Sequence, residues 1–308
     1  MITTPFTFPS FAKINWILRI LGKRPDGYHE VVTVLQTISL KDELTIQLSE
    51  KGPIKFTCDD PTIPTGFRDN LVLKAVEFLM DGFQDYFGAE IHLKKRIPAM
   101  GGLGGGSSNA AITLQAINKL WKGAYIDIEE FGPEDLGADV PFFLMGGRCA
   151  ATGIGEVLRP LEDGPKQYLI VITPNAKVST AHAYAALNAP SLTTFDYVSI
   201  LSSSLADLNS ADSRQWPLRN DFERVIFEIE PEIERAKHAL LDAGAWGALL
   251  AGSGSSVFGI FDSEGARDRG LENLRCEAGW RVFPCETISR EEYVRAMNSS
   301  GIPLFTLS

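Results

Sequence analysis

Cysteine and histidine are scarce in this chain of 308 residues, with four of each. The cysteines (Cys58, Cys149, Cys276, Cys285) form no C-x-x-C pair, and the histidines (His29, His92, His182, His238) are equally scattered. That spacing carries no zinc signature, and the expectation is free thiols in a reducing cytoplasm. No apolar run approaches the ~20 residues of a membrane span, so no membrane partner is expected. The opening stretch MITTPFTFPSFAKIN has neither a basic region followed by a long apolar one nor an arginine-rich character, so it reads as no targeting segment. Basic charge is also short: 29 Lys and Arg face 39 Asp and Glu, a net charge of −10. A nucleic-acid binder usually carries a basic surface, and none is expected here. A small anionic ligand remains open, because it needs only a local cluster of donors.

The length suffices for one large domain or two ordinary ones. FAKINWILRIL (11–21) alternates as a strand does, with Ala12, Ile14, Trp16, Leu18 and Ile20 facing one way and Lys13, Asn15 and Ile17 the other. GKRPDGYHEV is turn-rich. VVTVLQTISL, DELTIQLS, IKFTC and AEIHLKK are further strands. Asp69-Asn70 stands as a cap before the helical LVLKAVEFLMDGF. EDGPKQ (162–167) has a linker's composition and divides the chain into domains 1–164 and 165–308. Beyond it come a buried-type strand, YLIVITP, and a Ser-rich stretch over 191–215. NDFERVIFEIEPEIERAKHALLDAGA follows as one or two helices with Pro231 starting or kinking one. A glycine turn then feeds a strand in ALLAGSGSSVFGIF.

MGGLGGGSSNAAITL (100–114) places five glycines within six positions, ahead of a helix whose face is Ala110, Leu114, Ile117 and Trp121. Glycine lets backbone N–H groups approach a ligand closely, and the helix aims its free N–H groups and positive dipole end at the loop. The combination suits phosphate. Ser107 and Ser108 add hydroxyls, each a candidate Mg²⁺ ligand, with Ser108 the choice. Two common glycine motifs fail: no Lys precedes the serines as a P-loop requires, and the dinucleotide pattern ends in Ser107 where its third glycine belongs.

Three segments occur in order: AKIN (12–15), P-x-x-GGLGGGSSNAA (98–111) and GSGSSVF (252–258). Together they resemble the GHMP kinase superfamily of galactose, homoserine, mevalonate and phosphomevalonate kinases. FAKINWILRILGKRPDGYHEV, DNLVLKA and LGADVPFFL resemble more narrowly the branch that phosphorylates CDP-methylerythritol in the non-mevalonate isoprenoid pathway. The likeness spans about residues 10–260. It implies an α+β, two-domain GHMP kinase fold: an N-terminal ribosomal-S5-like α/β domain that binds ATP, then a ferredoxin-like α/β domain. It also implies ATP and Mg²⁺ as cofactors, and transfer of the γ-phosphate to the 2-hydroxyl of CDP-methylerythritol by a monomer or homodimer.

The resemblance carries roles to matching positions. Asp139 matches the catalytic base, and Lys13 the lysine that holds it and stabilises the transferring phosphoryl group. Asn15 matches a substrate contact. Tyr28 stacks on cytosine and His29 bonds its edge, with Thr180 and Tyr184 opposite. Gly101, Gly102, Gly104, Gly105, Gly106, Ser107 and Ser108 line the ATP phosphates, while Asn70, Leu71 and Lys95 meet the adenine end. Two positions depart from the pattern: Met100 stands where Gly or Ala is commoner, and Gly132-Pro133 where helix is usual. The tail SREEYVRAMNSSGIPLFTLS lies past the matched region and receives no role. A homoserine or mevalonate kinase would lack the cytosine clamp. A non-enzymatic relative is expected to have lost Lys13 or Asp139. An NAD-dependent oxidoreductase fails on motif position and on the third glycine.

Overall fold

The computed structural model describes residues 4–83, 87–121, 127–128, 132–191 and 218–305. Among them, β1 (Phe6–Lys23) and β2 (His29–Ser49) form one long antiparallel hairpin. The sequence expected VVTVLQTISL and DELTIQLS as separate strands; they are a single 21-residue strand. The hairpin bends at register shifts between Phe11 and Ala12, Asn15 and Ile17, and Ile20 and Gly22, which is how an extra residue lets so long a ribbon curve. The bulge after Asn15 also corrects the facing expected for β1. Ile17 packs in one cluster with Ala12, Ile14 and Trp16, whereas Leu18 joins another. An extra residue reverses the sidedness of everything beyond it.

β3 (Ile54–Cys58) and β4 (Gly88–Lys94) extend the sheet on one side of β2, and β5 (Arg148–Thr152) and β6 (Val157–Pro160) branch from it. Helices α1 (Leu71–Phe83) and α2 (Gly105–Leu120) pack with that sheet, and the six-residue α3 (Val140–Met145) packs against α2. A second, wholly antiparallel sheet comprises β7 (Tyr168–Thr173), β9 (Gly247–Leu250), β10 (Val257–Phe261) and β11 (Arg281–Glu286), ordered β11-β7-β10-β9. Between β7 and β9 run α4 (Thr180–Leu187), the short β8 (Arg219–Asn220), which pairs with β1, and helices α5 (Glu223–Ile229) and α6 (Pro231–Asp242). Pro231 opens α6, at the first-turn position where a missing N–H costs nothing. α7 (Glu264–Asn273) lies between β10 and β11. The Ser-rich stretch, apart from Ser191, lies outside the described residues.

The two sheets share an apolar seam, in which Ala12, Ile14 and Trp16 of β1 meet Leu249 and Phe258 of the second sheet. The chain does not finish in the second sheet. After β11, helix α8 (Arg290–Met297), opened by a capping box at Ser289 and Glu292, returns to the first core. There Tyr293, Val294, Met297 and Leu304 pack with Phe8, Phe11 and Phe142.

Candidate functional site

The glycine stretch is a loop clamped from three sides. The Lys13 backbone N–H donates to Leu103 O at 2.9 Å, and the Ser256 N–H donates to Gly101 O at 3.1 Å. Gly102 has φ +73°, and a Cβ there would lie 2.0 Å from Ala251 O. Gly104 has φ +71°, and a Cβ would meet Phe143 Cζ at 2.8 Å and Lys13 Cγ at 3.0 Å. Glycine is therefore required twice over, by backbone conformation and by the closeness of β1, α3 and the 251–256 turn. Gly104 caps α2 in the left-handed conformation without a side-chain bond, so the first-turn N–H groups stay open toward the cleft. Gly102→Ala is expected to raise the KM for ATP at least about tenfold and to lower the melting temperature, checked by steady-state kinetics and calorimetry; unchanged values would mean the loop re-forms around a methyl group.

Beside the loop lies an ion pair. Lys13 Nζ stands 3.4 Å from Asp139 Oδ2, and Lys13 is buried while the Asp139 carboxylate is partly open to the cleft. Lys13 Nζ also donates to Asn15 Oδ1 at 2.9 Å. Asn15 in turn donates to Thr33 Oγ1, whose hydroxyl donates to Ile17 O at the bulge. The chain of bonds leaves the lysine one aim, between Asn15 and Asp139. Asp139 is the residue before α3, yet its side chain makes no capping bond. The carboxylate is thus left to Lys13 and to whatever enters the cleft.

Beneath the loop is a buried network that the sequence reading missed. The fully buried Asp42 of β2 accepts from Lys95 Nζ at 2.6 Å, from the Arg96 and Ile97 backbone N–H groups at 2.7 and 2.8 Å, and from Asn109 Nδ2 at 3.2 Å. Ser10 completes it, donating to Asn109 Oδ1 and Ser108 Oγ as alternatives for its one proton. A Cβ on Gly105 would sit 3.0 Å from Lys95 Nζ, so the pair supports the first turn of α2 directly. Burial pushes the Lys95 ammonium below the ordinary lysine range, against the pull of Asp42. The signal in the sequence was an aspartate inside a strand pattern, where aspartate is uncommon; it reads as a break between strands and is instead an anchor.

The remaining site residues fall on both ends of one cleft of about 1150 Å³. At one end, Tyr28 projects from the turn, 61% exposed, above an Asp26 carboxylate that accepts its backbone N–H. His29 stacks on Tyr184 with ring centroids 4.7 Å apart, and Tyr184 meets Phe222 edge-on. Burial, then the Lys23 charge, lower the His29 pKa, which favours the neutral ring. Burial first, and the Asp139 charge second, push the Tyr184 phenol up to about 12. Thr180 shares a hydrogen bond with Ser253 across the cleft. At the other end, Leu71 and Lys95 line the wall. Asn70 lines it too, but its amide is committed: Oδ1 caps α1 at Val72 N–H, and Nδ2 donates to Pro64 O. Gly101, Gly102, Gly104, Gly105, Gly106 and Ser107 face the cavity between these ends. Ser108 does not; it is fully buried, with its hydroxyl against Ser10. Met100 is 60% exposed on the wall and holds φ +57°. The departure at Gly132-Pro133 is a single 3-10 turn, Pro133–Leu136, leading into Asp139.

Comparison with known proteins follows the same outline. The family model for the GHMP kinase N-terminal domain matches residues 70–147, and that for the C-terminal domain residues 197–279. The chain is 39% identical over 279 residues to a 4-diphosphocytidyl-2-C-methyl-D-erythritol kinase of Citrifermentans bemidjiense, covering 90% of this chain and 97% of that protein. It is 40% identical over 289 residues to the protein of the same name in Solibacter usitatus, covering 92% and 89%. A crystal structure of 4-(cytidine 5'-diphospho)-2C-methyl-D-erythritol kinase superposes with a TM-score of 0.74 at 32% identity, covering 91% of this chain and 98% of the other. A homoserine kinase from Cytophaga hutchinsonii, at 22% identity and a TM-score of 0.64 over 92% and 95% of the two chains, shares the fold.

Proposed function

The chain belongs to the GHMP kinases, within them to the 4-diphosphocytidyl-2-C-methyl-D-erythritol kinases, and on that premise we propose how its residues divide the work. The reaction moves the γ-phosphate of ATP to the 2-hydroxyl of CDP-methylerythritol, giving ADP and the 2-phosphate, in the non-mevalonate route to isoprenoids. Phosphoryl transfer asks mainly for positioning and charge stabilisation. The observation that carries the assignment is the Lys13–Asp139 pair, 3.4 Å apart and set directly beside the glycine loop.

Asp139 accepts the proton as the 2-hydroxyl attacks, and its freedom from any capping bond leaves an oxygen for that task. Lys13 holds the carboxylate on one side and offers positive charge to the transferring phosphoryl group on the other. The open N–H groups of Gly105, Gly106 and Ser107 take the ATP phosphates. The donor set also fits Mg²⁺ brought with ATP. Among the described residues no cluster of three acidic, His or Cys side chains exists, and Mg²⁺ commonly takes one or two protein oxygens plus phosphate oxygens. Ser107, on the wall, supplies that oxygen better than the buried Ser108. When bound, the ion would neutralise part of the negative charge of the ATP phosphates.

Tyr28, His29 and Tyr184 form the cytidine end. The exposed Tyr28 ring supplies a stacking face worth about 1–3 kcal/mol to a base. In the neutral form that burial favours, the His29 ring offers one donor and one acceptor to the base edge. A cytoplasmic setting accompanies this reading, supported by four free cysteines. The acceptor is tested by measuring ADP release with CDP-methylerythritol, homoserine and mevalonate in parallel. Turnover with the cytidine compound alone, and a Tyr28→Ala variant with its KM for that compound raised about tenfold, is the expected result. Turnover with homoserine or mevalonate instead would retain the fold and remove this acceptor.

A further inference from the structure

The tail that closes the chain lies beyond both matched family segments, yet it reaches the two elements that carry the reacting pair. We propose that Tyr293, on helix α8, is a positioning residue that fixes Asp139 relative to Lys13. This rests on the assignment of Asp139 and Lys13 given above.

Helix α3 has only six residues, too few to hold a conformation by its own hydrogen bonds. Its position, and hence that of Asp139 at its start, is set by what packs on it. The Tyr293 hydroxyl, fully buried, donates to Phe143 O at 2.5 Å, one of the carbonyls the short helix leaves unpaired at its C-terminal end. The same ring packs on Phe11 of β1, centroids 5.7 Å apart, and Phe11 lies two residues before Lys13. A single side chain thus touches the strand that carries the lysine and the helix that begins with the aspartate. Phe143 extends the link: its ring fills the space beside Gly104, so α3 also buttresses the glycine loop.

The approach has been given room. Gly146 and Gly147 follow α3, both at φ +69°. A Cβ on Gly146 would lie 2.2 Å from Tyr293 Cδ1, and one on Gly147 would lie 2.7 Å from Arg290 Cβ. Arg290, at the start of α8, donates from Nη2 to Gly146 O and Arg148 O, binding the turn after α3 as Tyr293 binds the Phe143 carbonyl. The glycine pair in MGGRC and the Arg290 and Tyr293 side of α8 are two halves of one contact.

The test compares the single-turnover rate of phosphoryl transfer, and both KM values, in the full-length protein. Tyr293→Phe removes the hydroxyl and keeps the ring. The expected result is a rate about tenfold lower with both KM values within twofold of wild type. Leu304→Ala, which loosens the same tail while leaving the Tyr293 hydroxyl and its bond to α3 in place, serves as the comparison: it lowers the melting temperature and leaves the rate within twofold. A Tyr293→Phe rate within twofold of wild type overturns the proposal, as does an equal rate loss in Leu304→Ala. If Tyr293→Phe yields no folded protein, Arg290→Gln carries the test, with the same rate loss expected and an unchanged rate overturning it. Asp139→Asn run alongside separates the two readings: wild-type turnover there removes the assignment beneath the proposal, whereas a collapse there with a normal Tyr293→Phe rate removes the proposal alone.

Discussion

Asp139→Asn lowers kcat by roughly 10²–10⁴-fold, the range that a positioned proton acceptor contributes. The substitution keeps the size of the side chain and removes its charge and basicity. Both KM values stay near wild type, because the glycine loop and the cytidine end are untouched; a loss in kcat matched in kcat/KM marks an interaction made only in the transition state. The fold stays intact as well. The ordinary alternative for an aspartate before a helix is a capping role, whose loss costs about 1 kcal/mol, but here the side chain makes no capping bond. A melting temperature equal to wild type with collapsed turnover therefore identifies chemistry. A lowered melting temperature with intact turnover per folded molecule would identify a structural aspartate.

Asp42→Asn is expected to be the most destabilising conservative change near the site. It leaves the buried Lys95 ammonium without its carboxylate, and breaking a buried pair by removing one partner costs about 3–5 kcal/mol. The backbone N–H groups of Arg96 and Ile97 lose a charged acceptor at the same time. The effect has a pH signature. Burial already holds the Lys95 pKa below its ordinary value, so between the folded and unfolded values the unfolded chain binds the extra proton. Stability from this group accordingly rises with pH through that window. Removing Asp42 takes away the main pull in the other direction and widens the window downward. Denaturant titrations of the variant should show stability recovering as pH rises toward the ordinary lysine range. A loss of stability independent of pH would mean that Lys95 finds another partner. Because the pair underlies Gly105, the KM for ATP should rise as well.

Much of this site is legible in the sequence, because its motifs are local. The glycine run needs its backbone conformation and close approach at fixed positions, and it sits on a helix start as its composition implies. Lys13 and Asp139, far apart in the chain, are paired in the sequence by resemblance alone; no periodicity links them, and the packing of both β1 and α3 on α2 brings them together. Alternation alone puts Ile17 on the wrong face, because a bulge is invisible in an alternating pattern. Ser108 looked as available as Ser107, since a serine pair at a helix start gives no sign of which hydroxyl turns inward. Asp42 and Tyr293 carry no clear sequence signal for a related reason: each acts on a segment distant in sequence, through burial rather than through a motif.

The central claim is tested most directly by the position of the phosphate in the product. The 2-carbon of the acceptor bears a methyl group and no hydrogen. Proton-coupled phosphorus NMR of the wild-type reaction with ATP and CDP-methylerythritol should therefore show a new monoester signal with no splitting from a carbon-bound proton, growing in step with ADP. A monoester signal split by such protons would place the phosphate on another hydroxyl, and inorganic phosphate with unchanged acceptor would mean that the cleft delivers ATP to water; either result contradicts the account.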